Sequence, residues 1–167
     1  MPAAPPAGVD AWFAPFAYAG VAREVVARVK YRGVRAAVPW LATKMVGVLG
    51  ATGTIAVVTW APTTPQRQRA RGFDPAELLA RAVARRLGLP AARLLSRAPG
   101  RPQTGLAAAA RRRGPRFTAR RGVAPAVLLV DDVATTGATL SAAAGALRAA
   151  GSHRIVAVTA ARTPPPW

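Results

Sequence analysis

The chain has 167 residues, 51% of them hydrophobic, which suits one domain with a sizeable core and excludes a disordered basic tail. Its formal net charge is +18, with Arg far outnumbering Lys; that predicts an anionic partner, or else reflects an Arg- and Ala-rich bias of the source. With no cysteine and a single histidine, it excludes disulfides, thiolate metal sites, a cysteine nucleophile and a histidine cluster.

In chain order, residues 1–15 are expected to be a loose leader, Pro/Ala/Gly-rich over 1–8. They lack the basic region and clean apolar stretch of a signal peptide. Residues 20–31, with Val21, Val25, Val26 and Val29 at helical spacing, predict a helix. A second lies within 34–49, with Pro39 near its start or at a kink. IAVVTW at 55–60 predicts a buried strand, and APTTPQRQRARGF after it a loop. The stretch from Asp74 to Gly88 predicts a helix with Asp74 as N-cap, Pro75 in the first turn, Glu77 completing a capping-box-like D-x-x-E, and Gly88 as terminator. RLLSRA at 93–98 is a candidate strand. Residues 98–117, rich in Gly, Pro and Arg, predict a long loop. AVLLVDD at 126–132 is the strongest strand, followed by a helix from Ala138 and a last strand over 154–161. Helices alternating with apolar strands predict an α/β domain with a mainly parallel central sheet over 16–162, and a tail at 163–167. No apolar run reaches the ~18–20 residues that cross a bilayer, so no membrane association and a cytoplasmic location are expected. Trp12, Trp40 and Trp60 are expected to be packing residues.

The chemistry concentrates in VLLVDDVATTGATL, 127–140. The chain has six acidic residues, and Asp131 and Asp132 stand side by side at the end of its most apolar strand. In a parallel sheet, ligands collect beyond the carboxyl ends of the strands. Ala134, Thr135, Thr136, Gly137, Ala138 and Thr139 then lead into a helix N-terminus, where unpaired N–H groups favour an anion. Carboxylates beside such a cradle suit a sugar phosphate, since they accept from ribose hydroxyls or hold Mg²⁺. The alternative is an ordinary Asp/Thr cap with a neighbouring acid. A P-loop is excluded because neither Lys30 nor Lys44 follows a glycine.

The stretch resembles the phosphoribosyl-diphosphate (PRPP) signature of type I phosphoribosyltransferases: apolar strand, two acids, T-T-G-x-T. The wider resemblance is to the ComF family of competence-associated proteins. It is carried by FAYAG and KYRG within 16–33, by RARGFDPAELLARAVARRLGL at 69–89, and by Arg97, PQTGL and RRR before Phe117. It implies a type I phosphoribosyltransferase-like fold with a small N-terminal helical or hood element. It implies Mg²⁺-dependent PRPP binding and transfer of the phosphoribosyl group to an unidentified acceptor with loss of pyrophosphate. Asp131 and Asp132 would contact the ribose, 134–139 the 5′-phosphate, and Lys30 and Arg71 the pyrophosphate. Gln103 and Thr104 would belong to a flexible loop over the site. Where the family has V-P-V-P, RGFN and an asparagine near the RRR, this chain has T-W-A-P, RGFD and Gly114, and the cysteine-rich zinc module has no counterpart, so no zinc is expected. No residue stands out as a general base. Three readings stay open: a transferase, a non-catalytic PRPP- or nucleotide-responsive regulator, and a nucleic-acid-binding competence factor, the last because Arg111 to Arg121 leave charge to spare for weak DNA binding. The oligomeric state is open, a homodimer included.

Overall fold

Two apolar runs rich in Val, Leu and Ile, 126–130 and 155–158, become the central strands, and their position decides where everything else packs. The computed structural model describes residues 4–32, 35–50, 53–98 and 115–163, with side chains described except at 30–32. In chain order these hold β1 (Ala11–Phe13), β2 (Phe16–Ala17), α1 (Gly20–Arg32), α2 (Ala37–Gly47), β3 (Val57–Trp60), α3 (Pro65–Arg71) and α4 (Pro75–Leu87). There follow β4 (Leu95–Arg97), β5 (Phe117–Ala119), β6 (Ala126–Ala134), α5 (Ala138–Ala149) and β7 (Arg154–Arg162). The main sheet has the order β1-β7-β6-β3, with β2 continuing the β1 edge along β7, and every pairing in it is parallel.

Helices cover both faces, which is why β6 and β7 each carry a stretch with successive apolar residues, 126–130 and 155–158. Successive residues of a strand point to opposite sides. Leu128, Val130, Val156 and Val158 therefore join a core with Leu41 and Met45 of α2 and Leu79 and Val83 of α4. Val127, Leu129, Ile155 and Ala157 join a second core with Leu140 and Leu147 of α5. Each fully buried Leu, Ile or Val contributes about 1.5–3 kcal/mol. α5 instead presents Ala143 and Ala144 as well, both fully buried, so it gains by close approach rather than by large side chains. β4 and β5 form a separate antiparallel pair whose Leu95 closes the α5-side core.

Four sequence expectations need correction. The loop expected after β3 contains α3. Thr64 caps it by accepting from the Arg67 amide (3.3 Å), Pro65 starts it, and Gly72 ends it at φ +75. None of its residues is buried, so it has no apolar periodicity to read; only its caps announce it. The leader expected to be loose is tied down over 6–13: the Val9 amide donates to the Pro6 carbonyl, β1 pairs with β7, and Val9 and Trp12 are buried. Asp74 caps α4 as expected, but Glu77 does not close a capping box through its carboxylate, which pairs with Arg81 at 2.8 Å one turn on. Finally, Trp12 and Trp60 are packed inside, whereas Trp40 is 46% exposed and stacks on Phe16 with ring centroids 5.3 Å apart. Pro39 falls in the first turn of α2, where a missing N–H breaks no helical bond.

Candidate functional site

β6 outruns its neighbour. Trp60, the last residue of β3, pairs with Val130, and the Ala61 amide makes one more bond to the Val130 carbonyl (3.0 Å). Asp131 and Asp132 come next, beyond the end of β3 toward the carboxyl edge of the sheet, with β7 still paired along one side of them and no paired strand on the other. The charge of Asp131 acts on Arg97 of β4, and that of Asp132 acts on Asp74. Both are over nine-tenths buried. Each also accepts, through Oδ1, the amide of the following residue: Asp132 N–H to Asp131 at 2.8 Å, Val133 N–H to Asp132 at 2.7 Å. These short bonds hold the two carboxylates in place at the strand end.

Around them is a cavity of about 140 Å³. Its walls include Thr63, Arg67 and Arg71 from the loop after β3 and from α3, Asp74 at the head of α4, Arg97 of β4, both acids of β6, and Thr139. Asp74 joins two of these walls. Its Oδ2 accepts the Thr63 amide (2.9 Å) and its Oδ1 the Ala76 amide (3.0 Å). Burial pushes its carboxyl above the ordinary value of 3.8, and the charge of Asp132 adds to that. The amides of Thr63, Ala76 and Glu77 pull the other way. Arg97 is brought down from its usual range, first by burial and then by the like charge of Arg67, while Asp131 and Asp74 act in the opposite direction. Its guanidinium lies over the Phe117 ring at 5.5 Å and approaches the Pro62 carbonyl at 3.5 Å. Arg67, Arg71 and Arg97 thus line one cavity, and the like charges of Arg67 and Arg97 act on each other there, an arrangement that an anion would relieve.

A second, smaller hollow of about 30 Å³ adjoins the first and shares Val133 and Thr139 with it. It is lined by 133–140. Gly137 caps α5 at φ +75, a conformation that a side chain would strain. No side chain caps this helix, and the Ala138 amide makes only a long contact to Thr136 Oγ1, at 3.4 Å. The first-turn donors of α5 therefore face a hollow of anion size.

Of the residues singled out in the sequence, Asp131, Asp132, 134–139 and Arg71 come together around these two hollows. Lys30 lies in the last turn of α1, and its side chain is not among those described. Gln103, Thr104, Arg111, Arg112 and Arg113, the loop expected over 98–117 apart from its ends, and the 163–167 tail beyond Thr163 lie outside the described residues. Two wall residues were visible in the sequence only in other roles: Asp74 as a helix cap and Arg97 as part of a motif. Among the described residues no group of three or more His, Cys, Asp or Glu side chains could hold a metal ion, and no helix is long and apolar enough to cross a membrane.

No protein-family model and no curated protein matches the chain. Among solved structures, a glutamine phosphoribosylpyrophosphate (PRPP) amidotransferase from B. subtilis, in complex with ADP and GMP, is similar with a TM-score of 0.52 and 24% identity. The match covers 76% of this chain and 26% of that one, so the chain spans about a quarter of the length of its neighbour. The likeness identifies the fold as a type I phosphoribosyltransferase-like α/β domain.

Proposed function

We propose that this protein binds PRPP across the two hollows and transfers its phosphoribosyl group to an acceptor, releasing pyrophosphate. The observation that carries the reading is that two adjoining hollows bring three kinds of group together: the helix-capping loop 134–139 in one, and the paired acids Asp131 and Asp132 with Arg67, Arg71 and Arg97 in the other. PRPP has the matching parts: a 5′-phosphate, a ribose with two hydroxyls, and a diphosphate. The loop offers backbone donors to the monophosphate. The carboxylates accept from the ribose hydroxyls. The arginines meet the charge that builds on the diphosphate as its bond to the anomeric carbon breaks and the acceptor's bond to that carbon forms. Mg²⁺ fits as a passenger of the diphosphate, with one or both acids completing its shell, because Mg²⁺ is commonly held by one or two carboxylates plus substrate phosphates. The motif resemblance to the ComF family supports a setting in competence or nucleotide metabolism.

Calorimetric titration with PRPP and Mg²⁺ tests the reading. The Asp131→Asn, Asp132→Asn double variant loses two charged acceptors worth ~1.5–3 kcal/mol each, so its affinity should fall at least about tenfold. Identical titrations for wild type and variant would refute the assignment. Turnover with a panel of bases and amines separates a transferase from a PRPP-responsive binder. The net charge of +18 supports one further property, weak nucleic-acid binding outside this site.

A further inference from the structure

Gly137 poses a problem for the loop it sits in. Glycine at φ +75 is conformationally permissive, α5 has no side-chain cap, and the Ala138 amide has only the long contact to Thr136. Little inside the loop fixes it, yet a phosphate cradle works best when its donors are already aimed. The restraint comes from outside. A methyl group built on Gly137 would lie 2.7 Å from Pro6 Cγ and 3.1 Å from Pro6 Cβ, so the proline ring rests directly against the glycine.

Pro6 is held there by a chain of contacts along α5. The Val9 amide donates to the Pro6 carbonyl (3.0 Å), closing a turn in which Gly8 has φ +82. A methyl group built on Gly8 would stand 3.3 Å from the Ala144 side chain, midway along the helix. Arg148, in the last turn of α5, donates from Nε to the Gly8 carbonyl (2.8 Å) and from Nη2 to Asp10 Oδ1 (2.7 Å). The other Asp10 oxygen accepts the Ile155 amide of β7 (2.7 Å). Val9 and Trp12 are buried, and the Trp12 indole donates to Thr159 (3.2 Å). Residues 6–10 therefore run beside α5 from its first turn to its last, pinned at the far end by an ion pair and at the near end by a ring of fixed φ.

We infer that this N-terminal strap is part of the monophosphate site and that Pro6 is a positioning residue, holding the Gly137 turn in the conformation that presents the α5 amides. The inference rests on reading 134–139 as the monophosphate loop. Pro6 touches no ligand in it; it acts through Gly137.

Pro6→Gly in the full chain tests this. Binding of ribose 5-phosphate and of pyrophosphate is measured separately by calorimetry, together with amide hydrogen exchange at Ala138. Ribose 5-phosphate should bind about fivefold more weakly, as when the competent loop falls to about a fifth of the population. Pyrophosphate should change by less than about twofold, and the Ala138 amide should exchange faster. Arg148→Gln, which frees the strap from the helix without touching the loop, should give the same pattern. A general loss of structure would weaken both ligands together. Equal loss of both, or no change in ribose 5-phosphate binding and exchange, overturns the inference while leaving the PRPP reading intact. Failure of the wild-type protein to bind ribose 5-phosphate overturns that reading and this inference with it.

Discussion

Replacing Asp74 with alanine should cost the protein about 2 kcal/mol, and the two halves of that figure come from different bonds. The Ala76 amide loses its cap, which costs about 1 kcal/mol in comparable helices. The Thr63 amide, half-buried in the loop after β3, loses its acceptor; leaving such a donor unpaired costs about another 1 kcal/mol, the low end because water reaches part of it. For a chain of this size the midpoint of thermal unfolding should then drop by about 4–8 °C. Asp74→Asn should recover the cap, since one amide oxygen can still meet Ala76, but its NH₂ would face the Thr63 N–H, so about half the loss remains. Acidity adds a second axis. Burial raises the Asp74 carboxyl in the folded state above its ordinary 3.8. A raised folded value means that this group's contribution is fully present below the unfolded value and is lost as pH rises through the folded one. The stability of the wild type relative to Asp74→Asn should therefore shift in the wild type's favour as pH falls from neutrality toward 4. Chemical denaturation of the three proteins at neutral and acidic pH measures both effects. An alanine variant as stable as wild type refutes the tether. A wild-type advantage over Asn that shrinks on acidification refutes the reading of Asp74 as a carboxyl disfavoured by burial.

Arg97→Gln should weaken pyrophosphate binding about tenfold, the loss of one charged hydrogen bond, while ribose 5-phosphate binding holds; calorimetry with each ligand checks it, and equal affinity for pyrophosphate would remove Arg97 from the diphosphate wall. Replacing Arg111, Arg112 and Arg113 with Ser should flatten the salt dependence of binding to a short labelled oligonucleotide without altering PRPP affinity. Absence of oligonucleotide binding by the wild type at low salt, in fluorescence anisotropy, would make the +18 charge a matter of composition.

The sequence by itself determined the parallel α/β character, because strands buried on both faces need near-continuous apolar runs such as 126–130 and 155–158. It placed Asp131 and Asp132 at a strand end and 134–139 at a helix start, since local order along the chain is enough to show both. It also located α4 between Asp74 and Gly88, whose caps act within a few residues. Tertiary structure alone decided what stands opposite those acids. Arg67, Arg97 and Asp74 reach the cavity from three separate elements, one of them in the second sheet, and only the tertiary fold brings those elements to the end of β6. α3 escaped detection because a short exposed helix needs no apolar stripe. The N-terminal segment looked loose because Pro, Ala and Gly carry no periodicity. What orders it is the partner strand β7 and the guanidinium of Arg148, more than 130 residues away in sequence, and no local pattern encodes a partner at that distance.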